Sequence, residues 1–247
     1  MPRHSRRSSF GAAPLHQTGF HPWYLVAPNA SAVALSATAT STEPGGFFAA
    51  GTIVVLPNIS AASLTQQQYF TGPKTTIPVN TPYTVALPAG ISAGGLLVLV
   101  ITTYPTSFPT LSISGCGATW AQAATSGIAG DGLTTLIWVG RNPTAGQQVI
   151  SIQVGGSTAL STSGTLLEFA GLDNTVSSWS TNAKLNNSSS SGSTVGTNSV
   201  TPTTGAVVVG AVADNFYDDG FPAPGGYTGG LTWTSTGTWT QLKGSNP

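Results

Sequence analysis

The chain has 247 residues, of which 6% are charged, with 31 glycines, 17 prolines and a formal net charge of +0. An ordinary soluble domain carries about 25% Asp, Glu, Lys and Arg, and a water-facing helix needs charge on its outer face, so an exposed helical protein is excluded. The balance of charge gives no field for nucleic acid or an anionic membrane. The 40% hydrophobic and 9% aromatic content is too apolar for a disordered chain. What remains is an all-β chain whose surface is wetted by hydroxyls and amides.

The first 24 residues read as an N-terminal arm. Arg6 and Arg7 and all three histidines (His4, His16, His21) lie within the first 21 residues, followed by Phe20-His21-Pro22-Trp23-Tyr24. The segment is basic, broken by proline and without a hydrophobic period. Arg6, Arg7, Phe20, His21, Trp23 and Tyr24 are therefore expected to dock on a neighbouring subunit. The apolar stretch of a secretory signal does not follow Arg7, since Pro14, His16 and Gln17 interrupt it. Synthesis in a cytoplasm without export by a signal of its own is the expectation. No segment reaches the length of a membrane span.

Residues 25–75 read as an N-terminal β segment and linker. Val33, Leu35, Ala37 and Ala39 alternate with Ser36, Thr38 and Thr40, the period of a strand. Glu43–Gly46 is a turn, and Gly51–Leu56 is a strand stopped by Pro57-Asn58. Gln66–Phe70 fits a short helical turn or a strand equally. Pro73–Pro82 has β-type residues interrupted by prolines, as in an edge strand or a linker.

Residues 76–247 read as one domain with strands at Tyr83–Leu87, Gly95–Thr103, Thr110–Ser114, Thr134–Val139, Gln148–Val154, Ser163–Phe169 and Ala206–Ala213. Their spacing predicts an antiparallel, jelly-roll-like β-sandwich of two packed sheets, with the arm and additional strands in front of it. Leu96–Ile101 and Ala206–Val209 are unbroken apolar runs, so both should be central strands covered on both faces. Asn186–Thr197 is polar and low in complexity, a surface loop between strands.

Few constellations carry chemistry. Gly90-Ile91-Ser92-Ala93-Gly94 matches the nucleophile-elbow pattern, but it follows Pro88 and precedes an apolar strand rather than a helix, so it reads as a plain turn. Glu168 and Asp173 could approach as a carboxylate pair; Glu168 lies inside an apolar strand, where a hydrogen-bonded structural role fits better. Cys116, the one cysteine, excludes an intrachain disulfide and reads as a small buried hydrophobe. Asp214-Asn215-Phe216-Tyr217-Asp218-Asp219 is the one local concentration of charge. Its oxygens suit calcium, but its spacing departs from an EF-hand and a solvated loop fits better. No catalytic residue, metal or cofactor is expected.

Aromatic residues on proline-stiffened loops are the candidate contact set. Tyr104, Phe108, Phe216, Tyr217, Phe221 and Tyr227, with Asp218 and Asp219, could grip a glycan by ring stacking and hydrogen bonds, or could pack against another subunit. Trp120, Trp138, Trp179, Trp233 and Trp239 lie in or beside strand-like segments and read as core.

Gly94–Ile101, Thr119-Trp120, Leu136–Val139, Ala145-Gly146 with Val149–Ile152, Leu166–Gly171 and Thr204–Gly210 together resemble the β-sandwich domain of minor tail and surface proteins of siphoviruses that infect actinobacteria. The resemblance covers roughly residues 76–230. It implies a non-enzymatic virion protein at the tail tip, a homo-oligomer bound to other virion subunits, with capsid decoration or head-fibre protein and cell-wall glycan-binding module as alternatives. Such domains finish with another apolar strand, whereas this sequence closes with Trp239-Thr-Gln-Leu-Lys-Gly-Ser-Asn-Pro247. An open sheet edge should therefore be covered by residues 25–56 or by a neighbouring subunit.

Overall fold

The structure is a computed structural model, and it describes residues 19–41, 49–70, 76–77, 79–104, 110–127, 133–155, 160–186, 194–214 and 229–242. The described residues form strands and no helix. In chain order the strands are β1 (Gly19–Val26), β2 (Ser36–Ser41), β3 (Ala49–Leu56), β4 (Asn58–Phe70), β5 (Thr76–Ile77), β6 (Tyr83–Ala86), β7 (Leu96–Tyr104), β8 (Thr110–Gly115) and β9 (Thr119–Thr125). They continue with β10 (Thr134–Arg141), β11 (Val149–Gly155), β12 (Leu160–Leu172), β13 (Ser180–Asn186), β14 (Thr194–Gly196), β15 (Val207–Asp214), β16 (Gly229–Trp233) and β17 (Thr240–Gln241). Gln66–Phe70 is strand, the second half of β4.

Antiparallel pairing sorts these strands into four sheets, ordered β6-β11-β8, β4-β12-β7-β10-β9 (with β5 also on β12), β13-β3-β15-β1-β17 and β14-β2-β16. The chain is thus an all-β, sandwich-like stack, but with four layers rather than the expected two. The reason lies in the apolar runs. In β7, Leu97, Leu99 and Ile101 pack with Val85, Ile113, Ile150 and Ile152 of the β6-β11-β8 sheet. Leu96, Val98 and Val100 point the other way, into a core shared with Phe20, Val54, Leu56, Val207 and Val209. Strand β15 repeats the pattern: Val207, Val209 and Ala211 face β7, while Val208 packs with Leu25, Ile53 and Val200, and Val212 with Leu35, Ala37 and Val195 of the outer sheet. A strand apolar on both faces needs a cover on each. Two such sheets packed together still need two outer covers, hence four layers.

Threonines are used inside as well as outside. Thr102 donates its hydroxyl to the Thr134 carbonyl at 3.1 Å, and Thr135 donates to Ala50 at 3.4 Å. A buried hydroxyl bonded to a backbone carbonyl avoids the desolvation cost of an unpaired polar group.

The N-terminal arm is corrected for Phe20, His21, Trp23 and Tyr24. These residues lie in β1, which runs between β15 and β17 inside a sheet of the same chain. Phe20 is fully buried, and the Tyr24 ring meets Phe169 edge-on at 5.6 Å. Pro22 is tolerated because it is asked only for its carbonyl, which accepts the Leu242 N–H at 3.0 Å. Arg6 and Arg7 lie outside the described residues. Strand β15 is flanked by β3 on one side and β1 on the other. The boundary between residues 24 and 25 therefore cuts a strand, and the N-terminal segment is woven into the larger domain. Of the loop expected at Asn186–Thr197, Thr194–Gly196 is strand β14, with Val195 buried.

Candidate functional site

Two clusters gather the chemistry-bearing side chains. The first joins residues that the sequence placed in separate groups. Asp214 is the last residue of β15 and pairs in register with Gly19 of β1. His21, two residues on, turns to the same face, and its Nε2 lies 2.8 Å from Asp214 Oδ2. Their side chains are only 13% and 3% exposed. A Cβ on Gly19 would stand 2.6 Å from the Asp214 carboxylate, so glycine is what lets the carboxylate fold across β1. Trp233 of the outer sheet meets His21 edge-on at 5.6 Å and Trp23 at 5.2 Å. The pair thus pins β1 to β15 beneath β16, at the point where the chain leaves for Asn215.

Of the candidate contact set, Tyr104 ends β7, where it pairs with Ser161. Phe108, Phe216, Tyr217, Asp218, Asp219, Phe221 and Tyr227 lie outside the described residues. Among the described residues no three His, Cys, Asp or Glu side chains come together as a metal site would require.

A double-mutant cycle with His21→Ala and Asp214→Ala should give a coupling of about 1–3 kcal/mol, as for a buried bond to a charged group. Additive losses in denaturant unfolding would contradict the pairing.

The second cluster surrounds Glu168, which is fully buried in β12. Its Oε1 accepts the Ser92 N–H at 2.7 Å, and Gln66 of β4 donates its side-chain N–H to Oε2. The Gln66 carbonyl oxygen in turn accepts the Ala89 N–H at 3.0 Å. Asn174 donates to the carbonyls of Gly94 and Gly95 at 2.9 and 3.1 Å. Glu168 therefore anchors the Pro88–Gly95 loop from within. Gly90–Gly94 is a turn between β6 and β7, with Gly94 at φ +76° and no helix after it, so the elbow geometry is not met. Asp173 is engaged separately: Thr175 donates both its hydroxyl, at 2.6 Å, and its N–H, at 2.8 Å, which holds the Asp173 carboxyl below the usual carboxylate range. Sequence reasoning missed Gln66. Its only signal was polarity at a position opposite a carboxylate.

Cys116 is buried at a left-handed φ of 56°, between Gly115 and Gly117, both also at positive φ. Its thiol lies 3.3 Å from the Val149 carbonyl. Burial, and then the charge of Glu168, pushes the thiol up to about 11. The native chain should not react with dithio-bis-nitrobenzoate at about pH 8 on the mixing timescale, and should react fully once unfolded. Rapid reaction of the native chain would overturn this placement.

The tryptophans pack half-buried against the cores, Trp120 and Trp138 on the β7–β11 core, Trp179 on the central one, and Trp233 and Trp239 beneath the outer sheet. Comparison with protein families, with curated proteins and with solved structures yields no match to this chain.

Proposed function

We propose that the chain is a non-enzymatic structural subunit of a phage virion, a minor tail protein at the tail tip of a siphovirus infecting an actinobacterium, set where it can meet the host surface. The observation that carries this reading is how the described charges are spent. Glu168 and Asp214 are buried and hold the chain's own strands and loop. Arg141, Asp173 and Lys184, the remaining described charged residues apart from His21, are only half-buried side chains at strand ends and edges. Outside these the described surface carries no charge: its exposed residues are chiefly small and polar, with Val26, Ile59 and Val149 exposed among them. Such a surface provides little charge repulsion between copies, which suits a subunit held permanently in an assembly.

The resemblance of residues 76–230 to tail-protein sandwiches supports the same reading, and its motifs fall on β7, β9, β10, β11, β12 and β15 and on the turns leading into β11 and β15. Contacts with other virion subunits are assigned to the segment containing Arg6 and Arg7, and to copies of the chain.

Gold-labelled antibodies raised against the purified chain should decorate the tail tip of the phage that encodes it, in electron micrographs of purified particles. Label on the head would move the assignment to a capsid decoration or head-fibre protein. Particles that carry no label would contradict a virion role.

A further inference from the structure

Trp120 of β9 and Trp138 of β10 share one face of the sheet at its β9 edge. Register pairs Trp120 with Gly140 and Trp138 with Gln122, and the pairing shifts by one residue between Ile137 and Trp138. A Cβ on Gly140 would lie 2.9, 2.9 and 3.0 Å from Cε2, Cζ2 and Cδ2 of Trp120. Near-equal distances to three fused-ring atoms mean that the indole lies flat, face down on the glycine. Its Nε1 is fixed by a 3.2 Å hydrogen bond to the Gly115 carbonyl. One ring face is thus spent on the sheet and the ring cannot swivel. Both indoles are half-buried and Gln122 between them is exposed. Bulges of this kind commonly re-aim side chains beside binding sites.

We propose that Trp120, Gln122 and Trp138 form a stacking site for a neutral pyranose of a glycan. The indole of Trp120, held on Gly140 and packed half-buried beside the core, offers the part of its ring left exposed to the C–H side of a sugar ring, a contact that needs no charge and loses little side-chain entropy because the ring is already fixed. The Gln122 amide, opposite Trp138, offers both a donor and an acceptor to ring hydroxyls. Thr119, Trp120, Gln122, Trp138 and Gly140 carry no charge, and Arg141 follows Gly140 and so turns to the other face of β10. An anionic sugar therefore finds no counter-ion here.

This site uses none of the loop aromatics and does not depend on a place in a virion. The full chain should be retarded in native gels containing a soluble β-glucan, a galactan or a mannan, by at least one of the three. Gln122→Ala, at an exposed position, and Trp120→Phe, which keeps an aromatic ring over Gly140, should each weaken that retardation by about tenfold while leaving the circular dichroism spectrum unchanged. Absence of retardation by all three polysaccharides, or retardation untouched by both substitutions, would overturn the site and leave the virion assignment standing.

Discussion

Replacing Phe20 by alanine is expected to destabilise the whole chain by about 3–5 kcal/mol, the usual cost of emptying a buried phenylalanine site. Phe20 is fully buried between the two inner sheets, in one core with Val98, Phe169, Val207 and Val209. The void would open in the middle of the stack, where neither neighbouring sheet can collapse without disturbing its other face. A chain of this size should lose about 2–4 °C of melting temperature per kcal/mol, so the loss should be plain in both thermal and denaturant unfolding. A docking arm would behave differently, since truncating a side chain that serves only a neighbouring subunit leaves the isolated chain unchanged. A loss below about 1 kcal/mol would favour the arm and count against β1 as an inner strand.

Glu168→Gln is expected to cost about 2–4 kcal/mol, although it removes no atom from the core. The new side chain can still accept the Ser92 N–H, but its amide N–H group then faces the amide N–H group of Gln66. Turning Gln66 over would restore that bond and take the acceptor away from the Ala89 N–H. Either way a donor is left unpaired.

Exchanging the two residues, with Gln66→Glu and Glu168→Gln together, puts acceptor opposite donor again at every contact. The double variant should recover at least half of the lost stability. A double variant as unstable as the sum of its parts would show that Glu168 acts through something other than this network.

Much of this architecture was legible in the sequence, and the misses have physical causes. Leu96–Ile101, Gly51–Leu56 and Ala206–Val209 stand out because burial on both faces removes nearly every polar residue from a strand, Thr52 being the exception in these three. Strands β9 (Thr119–Thr125) and β13 (Ser180–Asn186) were passed over because Ala, Ser, Thr and Asn give almost no contrast between the faces of an edge strand. In β1, the alternation of Phe20 and Tyr24 with His21, Trp23 and Leu25 was present, but Pro22 and the basic residues before it suggested an arm.

The number of layers was hidden for another reason. Which sheet covers which apolar face depends on pairings such as Ile53 with Gly210 and Phe20 with Ala213, and no local pattern encodes them. The site divides in the same way. A structural role for Glu168 followed from a carboxylate set among apolar neighbours, and the buried Cys116 from its residue type. The meeting of His21 with Asp214, 193 residues apart, followed from neither.

The scarcity of charge also takes on a clearer meaning. A charge on β3, β7 or β15 would be buried whichever face it turned to, and the described part of these strands carries none but Asp214 at the end of β15; Asp214 and the buried Glu168 of β12 are both hydrogen-bonded. Composition thus reflects, in part, central strands such as β3, β7 and β15 that have no water-facing side.

Native-state hydrogen exchange on the isolated chain tests the central claim most directly, namely that the N-terminal strands are inner members of one cooperative body. Amides in Phe20–Val26, Thr52–Leu56, Leu97–Ile101 and Val207–Ala213 should exchange through one shared opening, with a common free energy and denaturant dependence. Exchange of Phe20–Leu56 within minutes, while Leu97–Ile101 stays protected, would contradict it.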